Sequence, residues 1–147
     1  MVIGDWHETQ ATACDGDFGR VHHDLERRGR KGAVGRIMWS AFECSAFAEL
    51  SEYKTEQERL YLVGLNAGRA FLEAMKAGQI SERAVKDDVP INVLQRLAGP
   101  SNEFVINKIY AAATGNAHDD FVKKKRSNWG PTQNKTRGSL TPITTVF

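Results

Sequence analysis

The sequence predicts an all-α fold: a small orthogonal or up-down bundle of four to five helices with irregular N- and C-terminal arms. Apolar residues recur at the helical period from Ile37 to Phe121. Capping residues, glycines and prolines divide this stretch into segments of helical length. Both flanks lose the period. We therefore expect a flexible, basic-ended arm over 1–36, an α-helical domain over 37–122 and a basic, mostly irregular tail over 123–147.

The first predicted helix covers Ile37–Leu50. Its apolar face is formed by Met38, Phe42, Ala46 and Leu50, and is widened by Trp39 and Phe47. Polar residues stand between these positions, so the pattern favours a helix that is largely buried on one side.

The second helix has the strongest signal in the chain. Thr55 and Glu58 fit a capping box at its start, and Gly78 is suited to the position just past its end. Two apolar rows cover most of its circumference, which predicts a central helix touched by at least two others. Gly64 and Gly68 offer small surfaces where a neighbouring helix can approach closely.

Three shorter signals follow. Ser81 begins a short capped turn, and Pro90 opens a short apolar helix that stops at Gly99-Pro100. Ser101 then caps the last long helix, whose apolar stripe continues to Phe121.

Composition narrows the class of protein. The chain has 147 residues, of which 41% are hydrophobic and 26% charged, a balance typical of a globular domain and not of a disordered or collagen-like chain. No apolar run is long enough for a membrane span. The first residues, Met1–His7, lack the features of a signal peptide, which favours a cytoplasmic location.

Charge is segregated along the chain. The net charge is −4 over 37–120 and +6 over 121–147. Two basic clusters flank the acidic middle, and they consist of Arg27, Arg28, Arg30 and Lys31, and of Lys123, Lys124, Lys125 and Arg126. Such clusters can bind phosphates, and Trp129 could stack on bases. Nucleic-acid binding through the arms is therefore the alternative function, although solvated tails would look the same.

No catalytic or metal-binding pattern stands out. The ligand-rich triplets His22-His23-Asp24 and His118-Asp119-Asp120 lack the spacing of a chelating site, and no nucleotide-binding motif is present. A cysteine-dependent enzyme built from Cys44, His118 and Asp119 is the third possibility. Since no activating environment is apparent for Cys44, we expect no enzyme activity, no metal and no cofactor.

The chain has two cysteines, Cys14 and Cys44. Cys44 lies between Phe42 and Phe47, where a buried thiol would act as a small apolar group. In an oxidising compartment it could instead pair with Cys14 and tie the N-terminal arm to the domain. In the cytosol both thiols should stay reduced.

Part of the domain resembles a known group of proteins. The residues that carry the resemblance are Phe42-Glu43-Cys44-Ser45-Ala46-Phe47-Ala48-Glu49, Glu56–Tyr61, Gly64, Gly68-Arg69, Phe71, Gly99-Pro100 and Phe104. Together they are similar to small, uncharacterised bacterial and prophage-type proteins over about residues 38–122. The resemblance implies a mostly helical fold and often a periplasmic location, but no reaction. The chain lacks that group's signal peptide and second, C-terminal cysteine.

These observations predict a non-enzymatic protein that acts by protein–protein binding, as an inhibitor, immunity-type or accessory factor. The partner would be another protein or a second copy of the chain. The helices have more large apolar residues than a small bundle can bury, so we expect an exposed aromatic patch around Trp39, Phe42 and Phe47.

Overall fold

The computed structural model describes residues 14, 27 and 30–134, with side chains up to residue 127. This part of the chain forms five helices and no strand. They are α1 (Ala33–Leu50), α2 (Lys54–Lys76), α3 (Glu82–Asp88), α4 (Ile91–Leu94) and α5 (Asn102–Asn134). The predicted all-α fold is confirmed.

The central helix is α1, and not α2 as the apolar rows predicted. α1 packs along both α2 and α5, whereas α2 meets α5 only over a short stretch. Ten of the 18 residues of α1 are buried, against seven of the 23 in α2. The outer face of α2 therefore remains exposed, as Leu62 illustrates with 53% of its surface accessible.

The direction of each helix follows from its contacts. Phe42 of α1 packs against Gly64 of α2 and stacks edge-on against Tyr110 of α5, with the ring centroids 5.2 Å apart. One turn earlier in α1, Met38 lies against Gly68, and Ile106 of α5 lies against the same glycine. Going from Phe42 back to Met38 in α1, the residues in contact rise from 64 to 68 in α2 and fall from 110 to 106 in α5. Helix α2 is therefore antiparallel to α1, and α5 is parallel to it.

The two glycines of α2 bring α1 into close contact, as the sequence predicted. A Cβ added at Gly64 would lie 2.5 Å from ring atoms of Phe42, and one at Gly68 would lie 2.8 Å from the Met38 sulfur. Phe42 is fully buried and held between Tyr61 and Tyr110. The aromatic ring therefore occupies the space that a side chain at position 64 would need.

Helices α1 and α2 end in the same type of turn. After α2, the N–H of Gly78 bonds to the Met75 carbonyl and that of Gln79 to the Ala74 carbonyl, with Gly78 at a φ of 66°. This is the Schellman motif, in which a residue with positive φ closes the last turn. The glycine prediction is confirmed.

After α1 the same bonds form around Glu52, which has a φ of 64° although it is not a glycine. This turn leads the chain directly into α2, which begins at Lys54. The capping box predicted for Thr55 and Glu58 is therefore wrong: Thr55 already lies inside the first turn, and Tyr53 at the N-cap makes no side-chain bond.

The two predicted serine caps are confirmed. The Ser81 hydroxyl accepts a hydrogen bond from the Ala84 N–H, and the Ser101 hydroxyl accepts one from the Phe104 N–H. Arg69 joins α2 to α5, because its Nε–H donates to Glu103 Oε1 at 3.0 Å.

α5 is much longer than its neighbours. Its 33 residues span about 50 Å at 1.5 Å per residue, against about 27 Å for the 18 residues of α1. The two helices run in parallel from similar starting levels, so α5 continues past the end of α1. The helix extends to Asn134, twelve residues beyond position 122, where the sequence predicted the helical domain to end.

Candidate interaction surfaces

The predicted aromatic patch is not on the surface. Phe42 is fully buried, Trp39 retains 8% of its accessible surface, and Phe47 is half-buried. The prediction is wrong because α1 is enclosed by its neighbours, so that residues around most of its circumference enter the core. Phe42 and Trp39 belong to the main hydrophobic cluster together with residues of α2 and α5.

Trp39 instead helps to hold a half-buried carboxylate between α1 and α5. Asn116 donates a hydrogen bond from Nδ2 to Glu43 Oε1 at 2.6 Å, and the Trp39 indole N–H also bonds to this carboxylate. Burial raises the pKa of Glu43, and the negative charge of Asp120 raises it further, while the two donors oppose the shift. Sequence reasoning missed this group because Asn116 lies 73 positions from Glu43 in the chain.

Cys44 follows Glu43, and its sulfur forms a disulfide with that of Cys14. The Cα atoms are 5.6 Å apart, within the usual range for such a bond. Bonded in this way, Cys44 has no thiol to act as a nucleophile. The other two members of the hypothetical cysteine-dependent site, His118 and Asp119, lie on the exposed side of α5.

The most cationic surface is the segment of α5 that passes the end of α1. We call residues Lys123–Arg126 the basic segment; all four are exposed. Successive residues of a helix point about 100° apart, so the four cations surround the helix instead of forming one stripe. Lys125 also lies over the ring of Phe121, 5.7 Å from its centroid. The backbone at Trp129 is helical and continues this segment.

Carboxylates are concentrated at the neighbouring end of the bundle. We call this group the acidic end, and it consists of Glu43, Glu49, Glu52, Glu56, Glu58, Asp119 and Asp120. Residues 43–59 and 116–122 contain these seven carboxylates and two cations, a net charge of −5. The groups come together because α1 ends, α2 begins and α5 passes at the same level. The bond from Ser45 to the Gln57 carbonyl marks that level in α2, and the Asn116–Glu43 bond marks it in α5.

The other predicted basic cluster, which consists of Arg27, Arg28, Arg30 and Lys31, precedes α1 in the chain, and its members Arg30 and Lys31 lie at the opposite end of α1 from the basic segment. Lys31 donates to Gln79 beyond the end of α2, and Arg30 pairs with Asp88 of α3 at 3.8 Å. Arg27 is exposed, and Arg28 lies outside the described residues. Since α1 is about 27 Å long, Arg30 and Lys31 do not adjoin the basic segment.

The described surface includes two shallow grooves. One, of about 380 Å³, lies beside Lys31 and the end of α2, and the other, of about 240 Å³, lies between Leu72, Met75 and the turn at Pro100. Both are open to solvent. Within residues 30–127, with Cys14 and Arg27, no three potential metal ligands come together, and no described helix is both long and apolar enough to cross a bilayer.

Comparison with known proteins identifies no relative. No protein-family model matches the chain, and neither the curated proteins nor the solved structures contain a significant match. Inferences about function therefore depend on the surfaces described above.

Proposed function

We propose that this chain is a non-enzymatic helical protein that acts by protein–protein binding, as an inhibitor, immunity-type or accessory factor whose partner is another protein or a second copy of the chain. The observation that supports this is the juxtaposition of a basic segment and an acidic end at one end of the bundle. Opposite charges on adjacent, rigidly connected elements fit a protein surface with the complementary pattern. We also propose that the chain is related to the small bacterial and prophage-type proteins that it resembles over residues 38–122.

The acidic end also favours a protein over a nucleic acid as partner. Asp119 and Asp120 precede Lys123 and Lys124 by one helical turn, a separation of about 6 Å. This is shorter than the screening length of about 8 Å at physiological salt. The carboxylates therefore weaken the attraction of the basic segment for phosphate groups.

The proposal is tested by chemical crosslinking in a nuclease-treated bacterial lysate, followed by identification of the captured proteins. The test variant reverses two charges of the basic segment, Lys123→Glu with Arg126→Glu. The control variant, Lys76→Glu with Lys86→Glu, reverses two exposed charges elsewhere. We expect a defined protein that the wild type and the control capture and the test variant loses. Equal capture by all three chains would contradict the proposal.

Nucleic-acid binding is the second candidate, because four consecutive exposed cations on one helix are a suitable contact for phosphates. Fluorescence anisotropy with labelled DNA and RNA across a salt series tests it, using the same two variants. Binding that weakens steeply with salt and is lost only in the test variant would favour this candidate over a protein partner. Absence of binding at low salt would reject it.

A further inference from the structure

The basic segment and the acidic end are complementary to each other, and one chain carries both. Four positive charges on α5 stand beside an end of the bundle with a net charge of −5. In a two-fold symmetric dimer, a patch of one copy meets its complement on the other copy, and the same contact forms twice. A chain that carries both halves of such a contact therefore satisfies the charge requirement for a symmetric pair.

Several of these charged groups form no ion pair within the described part of the chain. The ion pairs there join Arg30 to Asp88, Arg59 to Glu56, Arg69 to Glu103 and Arg83 to Asp87. Among the residues with described side chains, Lys123 and Arg126 form no ion pair, and neither do Glu49 and Glu58. Because α5 continues past the end of α1 as one helix, its basic segment lies beyond the level of Glu49 and Glu58.

The same end also exposes apolar surface. Tyr53, at the start of α2, retains 57% of its accessible surface, and Leu50 and Val122 are half-buried. Surface ion pairs alone contribute little to association, typically less than about 1 kcal/mol each. A contact that also covers Tyr53 would combine an apolar centre with a charged rim, which is the usual composition of a protein interface.

We infer that the protein partner is a second copy of this chain: the basic segment of each copy lies against the acidic end of the other, around a two-fold axis. The inference rests on the proposed function and names its partner. In such a dimer, α5 extends from one copy to the other, since its backbone continues for about 17 Å between residues 123 and 134.

A charge-swap experiment on the full chain tests the inference. One variant reverses the basic segment (Lys123→Glu with Arg126→Glu), and the other reverses the acidic end (Glu49→Lys with Glu58→Lys). All four residues are exposed, so neither variant should disturb the core. Lys76→Glu with Lys86→Glu is the control. Analytical ultracentrifugation over a concentration series gives the association state of each protein alone and of the mixed variants.

We expect the wild type and the control to dimerise and the dimer to weaken as salt is added. Each reversed variant alone should show a dissociation constant raised roughly tenfold or more, because like charges then face each other. The mixture of the two reversed variants should dimerise again, since both contacts are then complementary. Circular dichroism should show the same helical content in all four proteins.

Three outcomes would overturn the inference. A wild type that remains monomeric at every concentration would exclude self-association, and the proposed function would then be judged by the crosslinked partner alone. A dimer that neither reversal weakens would assign the contact to another surface. Failure of the mixed variants to associate, when each alone has lost the dimer, would show that the two patches do not meet each other.

Discussion

Helices α1 and α5 run side by side in the same direction, yet their surroundings differ. Ten of the 18 residues of α1 are buried, and a disulfide ties its Cys44 to Cys14. Among the described side chains of α5, the last buried one is that of Ala117, and those from Lys123 to Ser127 are all exposed. A helix is buried where neighbours cover it, so the difference comes from the lengths and positions of α2 and α5 and not from local helix propensity.

The largest effect is expected at the covalent tie of α1. The disulfide closes a loop with a sequence separation of 30. In the chain-entropy description, a loop of that size stabilises the folded state by about 3–4 kcal/mol. The double variant Cys14→Ser with Cys44→Ser should lose this amount in urea unfolding, and reduction of the wild type should have the same effect. A stability that neither change lowers would show that the tie does not stabilise α1.

The next largest effect compares two helical glycines. Gly64→Ala should destabilise the protein by about 3 kcal/mol, because the new Cβ would overlap the ring of the immobilised Phe42. Gly115→Ala in α5 is the matched control: nothing lies within 4 Å of its Cβ, so alanine should stabilise the helix by about 0.5–1 kcal/mol. Thermal and urea unfolding measure both. Equal effects at the two positions would contradict the contrast between the packed α1–α2 contact and the open face of α5.

Substitution of the residue with positive φ should stabilise the turn after α1 and destabilise the turn after α2. Glu52 has a φ of 64°, a conformation that costs a residue with a Cβ about 1–2 kcal/mol. Glycine avoids this cost but has greater conformational freedom in the unfolded chain, which offsets part of the gain. We therefore expect Glu52→Gly to stabilise the protein by about 0.5–1 kcal/mol. Gly78→Ala should destabilise it by about 1 kcal/mol for the converse reason. Urea midpoints that move in the same direction would argue against this explanation.

The smallest effect concerns Glu43, where α1 meets α5. Because burial raises the pKa of Glu43, the folded protein binds this proton more tightly than the unfolded chain does. The charged carboxylate is therefore unfavourable at neutral pH, and this cost disappears as pH falls through the raised pKa. Glu43→Gln should be slightly more stable than the wild type at pH 7 and should lose that advantage at acidic pH.

The control for this comparison is Glu73→Gln, which removes an exposed carboxylate of α2 that lies outside the acidic end. Urea unfolding at several pH values gives the stability difference between each variant and the wild type. A difference for Glu43→Gln that grows as the pH falls would have the wrong sign and would contradict the role of burial.

Local signals in the sequence predicted several helix boundaries but missed the start of α1 at Ala33 and the end of α5 at Asn134. The caps at Ser81 and Ser101 and the end of α2 at Gly78 could be predicted because each of these interactions joins residues only three to five positions apart. The all-α class follows from the period of the apolar residues alone. The Glu52 turn was missed because nothing in its residue type indicates a positive φ, and that turn displaced the predicted cap at Thr55.

The sequence by itself therefore determined the fold class, the caps at Ser81, Ser101 and Gly78, the close approach at Gly64 and the separation of charge along the chain. Only the tertiary structure decided that α1 is the central helix, that Trp39 and Phe42 are buried and that carboxylates from three helices form one acidic end. The physical reason is the range of the interactions. Periodicity and capping act within one or two turns, whereas the bond between Glu43 and Asn116 joins residues 73 positions apart and exists only once α1 and α5 have packed.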